Sequence, residues 1–238
     1  MIKLARKVHR IVSYLVFIQV SLWIIGGLAF AAIPFDSVVK GGAVMLPAAK
    51  PRFPDNWADL VAQHKGDVWF PKSISSHNSS QGLLLKLEGE FETRWLRMSD
   101  GRRARPPQAE SIAAYAQQLY AGSGVLVGTR FIDEPQYRYL GLVDELYGRA
   151  NVWQASVDDS YNTRLYFTGD NGRYLTVRND FWVFYDAMWR LHIMDYRGGE
   201  DFNNLLLLVF AILSTIFTIS GLILTYGAAK RGIGRLLN

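Results

Sequence analysis

Two stretches of the chain are apolar without interruption. Residues 11–35 (IVSYLVFIQVSLWIIGGLAFAAIPF) and 205–226 (LLLLVFAILSTIFTISGLILTY) contain no charged side chain. At about 1.5 Å of rise per residue, either can cross a hydrocarbon core of roughly 30 Å as a helix. Pro34 marks the end of the first. Between them the pattern changes to short periods. Residues 54–65 (PDNWADLVAQHK) place Trp57, Leu60 and Val61 on one helical face. Residues 83–98 alternate in two stretches and predict strands, followed by the Ser99-Asp100-Gly101 turn. Residues 107–120 (PQAESIAAYAQQLY) predict a helix with apolar residues at Ile112, Ala113, Tyr115, Ala116 and Leu119.

Strands are then expected over 136–143, 151–157 and 163–168. A Gly169-Asp170-Asn171-Gly172 hairpin turn leads into 173–177. Residues 36–53 show no period. Residues 179–196 gather Phe181, Trp182, Phe184, Tyr185 and Trp189, a composition suited to a membrane–water boundary. They predict a helix lying at, or dipping into, the outer membrane surface, with Asp201 or Asn203 capping the next one. The expected fold is a membrane protein with two transmembrane α-helices and an α+β, mainly antiparallel, extracytoplasmic domain. Its segments are a basic end with the first span (1–35), the outside domain (36–178), an aromatic interfacial helix with its loop (179–204), and the second span with its basic end (205–238).

Charge sets the orientation. Lys3, Arg6, Lys7 and Arg10 open the chain, Lys230, Arg231 and Arg235 close it, and neither end carries an acid. Seven of the 26 basic residues thus flank the spans, leaving 19 against all 21 acids between them. Short basic ends stay in the cytoplasm and the long middle is translocated. The formal charge of +5 therefore marks membrane flanks and gives no reason to expect nucleic acid. Ala29-Phe30-Ala31 also fits a signal-peptidase site, but the apolar run before it, about 21 residues, exceeds the roughly 7–15 of a signal peptide. No cysteine is present, so the outside domain depends on its core alone.

The opening ARKVHRIVSYLVFIQVSLWIIGGLAF resembles the start of PepSY-associated transmembrane proteins: basic residues, His-Arg, then a glycine-containing span. WRLHIMDYRGGEDFNN followed by LLVFAILSTIFTISGLIL resembles that family's Leu-His motif, polar loop and Ser-Gly helix. VWQASVDDSYNTRLYFTGDNGRYLTV resembles a PepSY hairpin. The resemblance covers both ends and much of 130–226, and leaves 36–82 without a counterpart. Large members of the family have four spans and are haem-containing ferric or ferric-siderophore reductases. Small two-span members promote ferrous-iron uptake by reducing ferric iron outside the cytoplasm. This chain is similar to the small type, which implies a bacterial inner-membrane protein whose substrate is ferric iron and whose cofactor is haem b.

Haem b takes one or two axial histidines, and the chain has four: His9, His64, His77 and His192. His9 opens the first span and His192 precedes the second, levels separated by roughly 33–38 Å of helix. They cannot share a haem. A homodimer with its two-fold axis along the membrane normal pairs each with its own copy, and Gly26, Gly27, Ser214, Ser220 and Gly221 would let helices approach. Arg6, Lys7 and Arg10 beside His9, and Arg190 and Arg197 beside His192, suit haem propionates. Gln19 is a strongly polar side chain deep in a span, facing a site or bonding across helices. Each has a plainer reading: His9 as part of a basic anchor, His192 as an interfacial residue, the arginines as headgroup contacts. His64 and His77 read as exposed loop residues. Asp158, Asp159 and Tyr161 form either an oxygen cluster for ferric iron or a solvated turn. No metalloprotease, P-loop or dinucleotide motif occurs. About 22 cytoplasmic residues cannot hold a flavin or nicotinamide domain, so electrons would come from a quinol or a respiratory complex. The competing function is a non-enzymatic PepSY interaction module, or an accessory subunit of a larger respiratory or transport complex.

Overall fold

The computed structural model describes residues 2–46, 50–53, 55–63 and 71–236, the last five by backbone alone. The two apolar stretches form helices α1 (Ile2–Ala32) and α5 (Leu205–Leu236). Over Ile2–Ala32 and Leu205–Arg231 they are long and apolar enough to cross a membrane. Ala5, Val12, Val16, Gln19 and Gly26 are the buried residues of α1. Their spacing of three, four and seven marks a single helical stripe. Tyr14, Phe17, Ile18 and Leu28 on its other sides are exposed.

The chain divides into two compact units. One comprises Met1–Ile33, Tyr139–Val143 and Phe184–Asn238; the other comprises Pro34–Arg138 and Asp144–Val183. In the second, the elements are α2 (Trp57–Ala62), β1 (Ser73–Ser79), β2 (Gly82–Glu88), β3 (Thr93–Arg97), α3 (Ala109–Leu119), β4 (Val125–Ile132), β5 (Tyr137–Arg138), β7 (Val152–Asp158), β8 (Arg164–Thr168) and β9 (Tyr174–Arg178), while the two residues of β6 (Val143–Asp144) fall one in each unit. Helix α4 (Asp180–Ile193) follows. The strands form an antiparallel meander β1-β2-β3 and an antiparallel sheet ordered β4-β7-β8-β9. Helix followed by antiparallel strands therefore occurs twice: α2 before the first sheet, α3 before the second.

Each helix buries its apolar face against strands. Val61 of α2 packs with Leu85, Leu87 and Leu96. Ile112 and Ala116 of α3 pack with Ala155, Val157, Leu165, Phe167 and Val177. Burial of such side chains contributes about 1.5–3 kcal/mol each. Gly172 closes the predicted hairpin at φ +71, where a Cβ would also meet the Ser80 hydroxyl. Asn179 caps α4, accepting from the Trp182 amide at 2.7 Å.

Several expectations need correction. Among the described residues of the expected 54–65, helix α2 spans Trp57–Ala62; 54, 64 and 65 lie outside the described residues. The stretch 36–53 is not wholly irregular: Phe35–Val39 forms a π-turn and Met45 bridges Tyr120. The expected strand over 136–143 survives only at Tyr137–Arg138 and Val143, because Tyr139, Leu140 and Gly141 are all left-handed, a conformation no strand contains. Strands β1 and β4 were not expected. The cap of α5 is Asn204, whose Oδ1 accepts from the Leu207 amide at 2.8 Å. Asp201 instead accepts from the Asn203 amide.

Asp159 holds the β7–β8 connection. Its carboxylate accepts from Tyr161 N, Thr163 N, Thr163 Oγ1 and Tyr120 Oη at 2.7–3.0 Å. Burial pushes its pKa up, but these hydrogen bonds more than offset that and hold it below the ordinary carboxylate value. A depressed folded pKa adds stability that is complete above the unfolded value of about 3.9 and lost as pH falls through the folded one. Asp159→Asn should therefore cost about 1–2 kcal/mol at pH 7. That gap should narrow below about pH 4, measured as thermal midpoints of both proteins across a pH series.

Candidate functional site

Both candidate histidines of the sequence lie in the unit built from α1, α5 and most of α4. The His9 ring stacks on Phe217 of α5, centroids 4.4 Å apart and planes 13° from parallel. Its Nδ1 lies 3.1 Å from the Phe217 carbonyl oxygen and 3.1 Å from Ser220 Oγ. The Ser220 hydroxyl itself donates to the Phe217 carbonyl at 2.8 Å. A carbonyl only accepts, so Nδ1 carries the proton and donates. Nε2 has no hydrogen-bond partner among the described residues. Anchoring through the remote nitrogen is the arrangement that metal-ligating histidines use. Beside this contact α1 and α5 leave an apolar groove of ≈ 340 Å³ lined by Leu4, Ala5, Val8, Ile216, Ile219 and Ile223, with Ser220.

His192 stands in an aromatic cage. Phe30 meets it edge-on at 5.7 Å, Trp23 lies tilted at 6.1 Å, and Trp189 stacks at 6.4 Å. Its Nδ1 is buried without a hydrogen-bond partner. A buried polar atom left unpaired costs about 1–3 kcal/mol and calls for a physical explanation. Each histidine also faces a glycine. A Cβ on Gly221 would sit 3.2 Å from His9 Cε1, and one on Gly26 would sit 3.8 Å from His192 Nδ1. The small residues expected to admit a second copy are thus largely occupied within the chain; Gly27 has open space before it.

His192 is nearer to His9 than the sequence spacing implies. Helix α4 runs antiparallel along the second half of α1, from Tyr185 against Phe30 to Leu191 against Gln19. Its end therefore lies beside Gly26, seventeen residues from His9 along α1, or roughly 26 Å. The last carbonyls of a helix have no partner within it, and here side chains supply them. Gln19 Nε2 donates to Leu191 O at 3.0 Å, Trp23 Nε1 to His192 O at 2.7 Å, and Asn204 Nδ2 to Ile193 O at 2.9 Å. Gln19, expected near a cofactor, is committed to this cap.

The cations differ in availability. Arg10 and Arg197 are exposed and form no ion pair among the described residues. Arg190, 2% exposed, pairs with Asp186 at 2.6 Å and donates to Arg197 O at 3.1 Å; it fixes the loop and is not a free cation. Asp195 accepts from the backbone of Arg197, Gly198, Glu200 and Asp201. Those amides hold its carboxyl well below the usual range. Both Asp159 oxygens are spent on the turn, which leaves Asp158 exposed at a strand end without a second open carboxylate. No cluster of three or more metal-binding side chains occurs among the described residues. His77 is half-buried in β1, bonded to Ser75 Oγ at 2.9 Å and set edge-on to Trp95, not in a loop. His64 lies outside the described residues.

No family model, curated protein or solved structure matches the chain. The site residues that sequence reasoning passed over are Trp23, Phe217 and Asn204; Ser220 was read only as a small residue at a helix face. Trp23 was legible in principle: it falls on the stripe of Val12, Val16, Gln19 and Gly26 and carries an indole donor.

Removing the caps tests their worth. Gln19→Leu and Trp23→Phe should each cost about 1–3 kcal/mol by orphaning a carbonyl. Because they serve adjacent carbonyls, the double variant should deviate from additivity by more than about 0.5 kcal/mol, read from thermal midpoints in detergent.

Proposed function

We propose that the chain is a haem-b electron-transfer protein of the bacterial inner membrane that reduces ferric iron on the periplasmic side, as a homodimer, in support of ferrous-iron uptake. The observation that carries this reading is the state of the two histidines. His9 is tied through Nδ1, with Nε2 unpartnered among the described residues. His192 is caged by three aromatic rings with a buried nitrogen unpaired. A histidine retained only as a basic anchor or an interfacial residue requires neither arrangement. His9 thus offers Nε2 to an axial haem site; at His192 the unpaired Nδ1 is enclosed beside Gly26, and ligation there would use the other ring nitrogen. Haem b, when bound, supplies a one-electron ferric/ferrous couple.

The chain's own residues do the rest. His9 and His192 offer imidazole nitrogens at two levels of α1, one per level. Two copies related by a two-fold axis supply a pair at each. Arg6, Lys7 and Arg10 at the first level, and Arg197 at the second, offer charge to propionates. Arg190 acts indirectly, holding the loop that carries Arg197. Helices α1 and α5 read as the spans, with the basic ends cytoplasmic by the positive-inside rule. Helix α4 reads as dipping into the outer leaflet, where its capped carbonyls avoid the cost of unpaired groups in lipid. The twofold helix-then-strands order is compatible with a PepSY-like domain. Electrons would come from a quinol or a respiratory complex.

Purified protein should show a Soret band that sharpens and shifts on dithionite reduction, with two haems per dimer. His9→Ala and His192→Ala should each remove one. A colourless protein, or two haems retained in both variants, would sink the assignment.

A further inference from the structure

We infer that the face of the β4-β7-β8-β9 sheet turned away from α3 is a binding site for a small carboxylate-bearing anion. The register assigns the faces. Thr129, Ala155, Leu165 and Val177 align across the four strands, and three of them pack with α3. The adjacent row, Arg130, Gln154, Tyr166 and Thr176, must point the other way. That face carries Arg164 and Arg178 as well, and its apolar part is Ile132, Leu146, Val152 and Tyr166. It holds a cavity of ≈ 270 Å³ lined by Arg130, Gln136, Tyr137, Arg138, Glu145 and Tyr166, with Ile132 and Leu146.

The charge in this cavity is unbalanced. Glu145, 4% exposed, is its one carboxylate. It is fully engaged, by Arg164 at 2.9 Å, Arg138 at 2.5 Å and the Tyr166 hydroxyl at 2.7 Å. Arg130 is different. Its guanidinium is held by neutral oxygens, Gln136 Oε1 at 2.8 Å and Gln154 Oε1 at 2.9 Å, and it forms no ion pair among the described residues. Two amide oxygens orient the fork without neutralising it. Arg138 shares its carboxylate with Arg164, which also pairs with Asp180 at 2.9 Å. The segment between the spans has more acids than bases, so this is a local concentration of positive charge.

With Nε and Nη2 committed to the two glutamine oxygens, Nη1 is the edge of Arg130 left to a carboxylate oxygen, in a charge-assisted hydrogen bond. The Tyr137 ring, exposed in the cavity lining, selects further: a di- or tricarboxylate can lay methylene carbons on it, and inorganic phosphate cannot. The volume lies just below the roughly 300–1,000 Å³ of common ligand sites, which favours an anion of citrate size. The inference stands apart from the haem reading, since a colourless chain can bind citrate.

Calorimetric titration of the full chain in detergent tests it, with citrate as probe and inorganic phosphate as control. Citrate should bind saturably and more tightly than phosphate. Arg130→Gln should weaken it roughly ten- to a hundredfold, and Arg130→Lys less. Arg173→Gln, whose guanidinium lies over Trp95 outside the cavity, should leave it unchanged. Arg130 is exposed on edge strand β4, and equal thermal midpoints of variant and parent would show that the fold is retained. Absence of saturable citrate binding overturns the inference. So does equal affinity for phosphate, or an unchanged affinity in a folded Arg130→Gln protein.

Discussion

A helix that ends among apolar side chains must find partners for its last carbonyls, and the unit of α1, α5 and most of α4 is organised around that requirement. Leu191, His192 and Ile193 present three successive carbonyl oxygens, and Gln19, Trp23 and Asn204 each donate to one. Two donors belong to α1 and the third caps α5. The same three bonds therefore terminate α4, set its register on α1 and fix where α5 begins. His192 owes its position to them, since the Trp23 indole holds its backbone while the ring enters the cage.

The second unit solves a different problem. Its larger sheet has one face sealed by α3, with Leu165 and Phe167 fully buried. The other face buries arginines beside a carboxylate and aromatic rings. Arg178 lies 4.0 Å over the Trp182 ring and donates to the Glu145 carbonyl. Burial pushes its pKa down. Desolvating cations at this density is costly unless hydrogen bonds and π faces compensate, and here both do. The face is structured polar surface, not a solvated back.

How much could be read beforehand depended on whether a signal was local. The spans, helix α3 and the β7–β8–β9 hairpin announce themselves through period and turn residues. Strand β1 (SISSHNS) does not: it is serine-rich, and its strand form comes from pairing with the apolar β2. Strand β4 is masked by Gly128, where the register shifts. The 136–143 alternation suggested a strand that three left-handed residues interrupt. At the site, His9 and His192 were legible as residues, but the level of His192 was not, since it lies beside Gly26 and not a full helix length from His9. The tie of His9 Nδ1 to a carbonyl 208 residues away was not, and neither was the commitment of Gln19, because tertiary packing alone creates them.

The pairing of His9 with a glycine carries a cost in helix strength. Glycine inside a helix costs roughly 1 kcal/mol relative to alanine. Gly221 incurs it where a methyl group would crowd the imidazole, 3.2 Å from His9 Cε1, whereas one on Gly26 would meet His192 Nδ1 at an ordinary 3.8 Å. Helix strength is conceded at Gly221, and the beneficiary is the orientation of the His9 ring. The two long helices are in this sense keyed: α5 cannot slide along α1 without driving that ring into a backbone. Ring orientation and helix register are one degree of freedom, so a shift of register would be felt directly at the imidazole nitrogens.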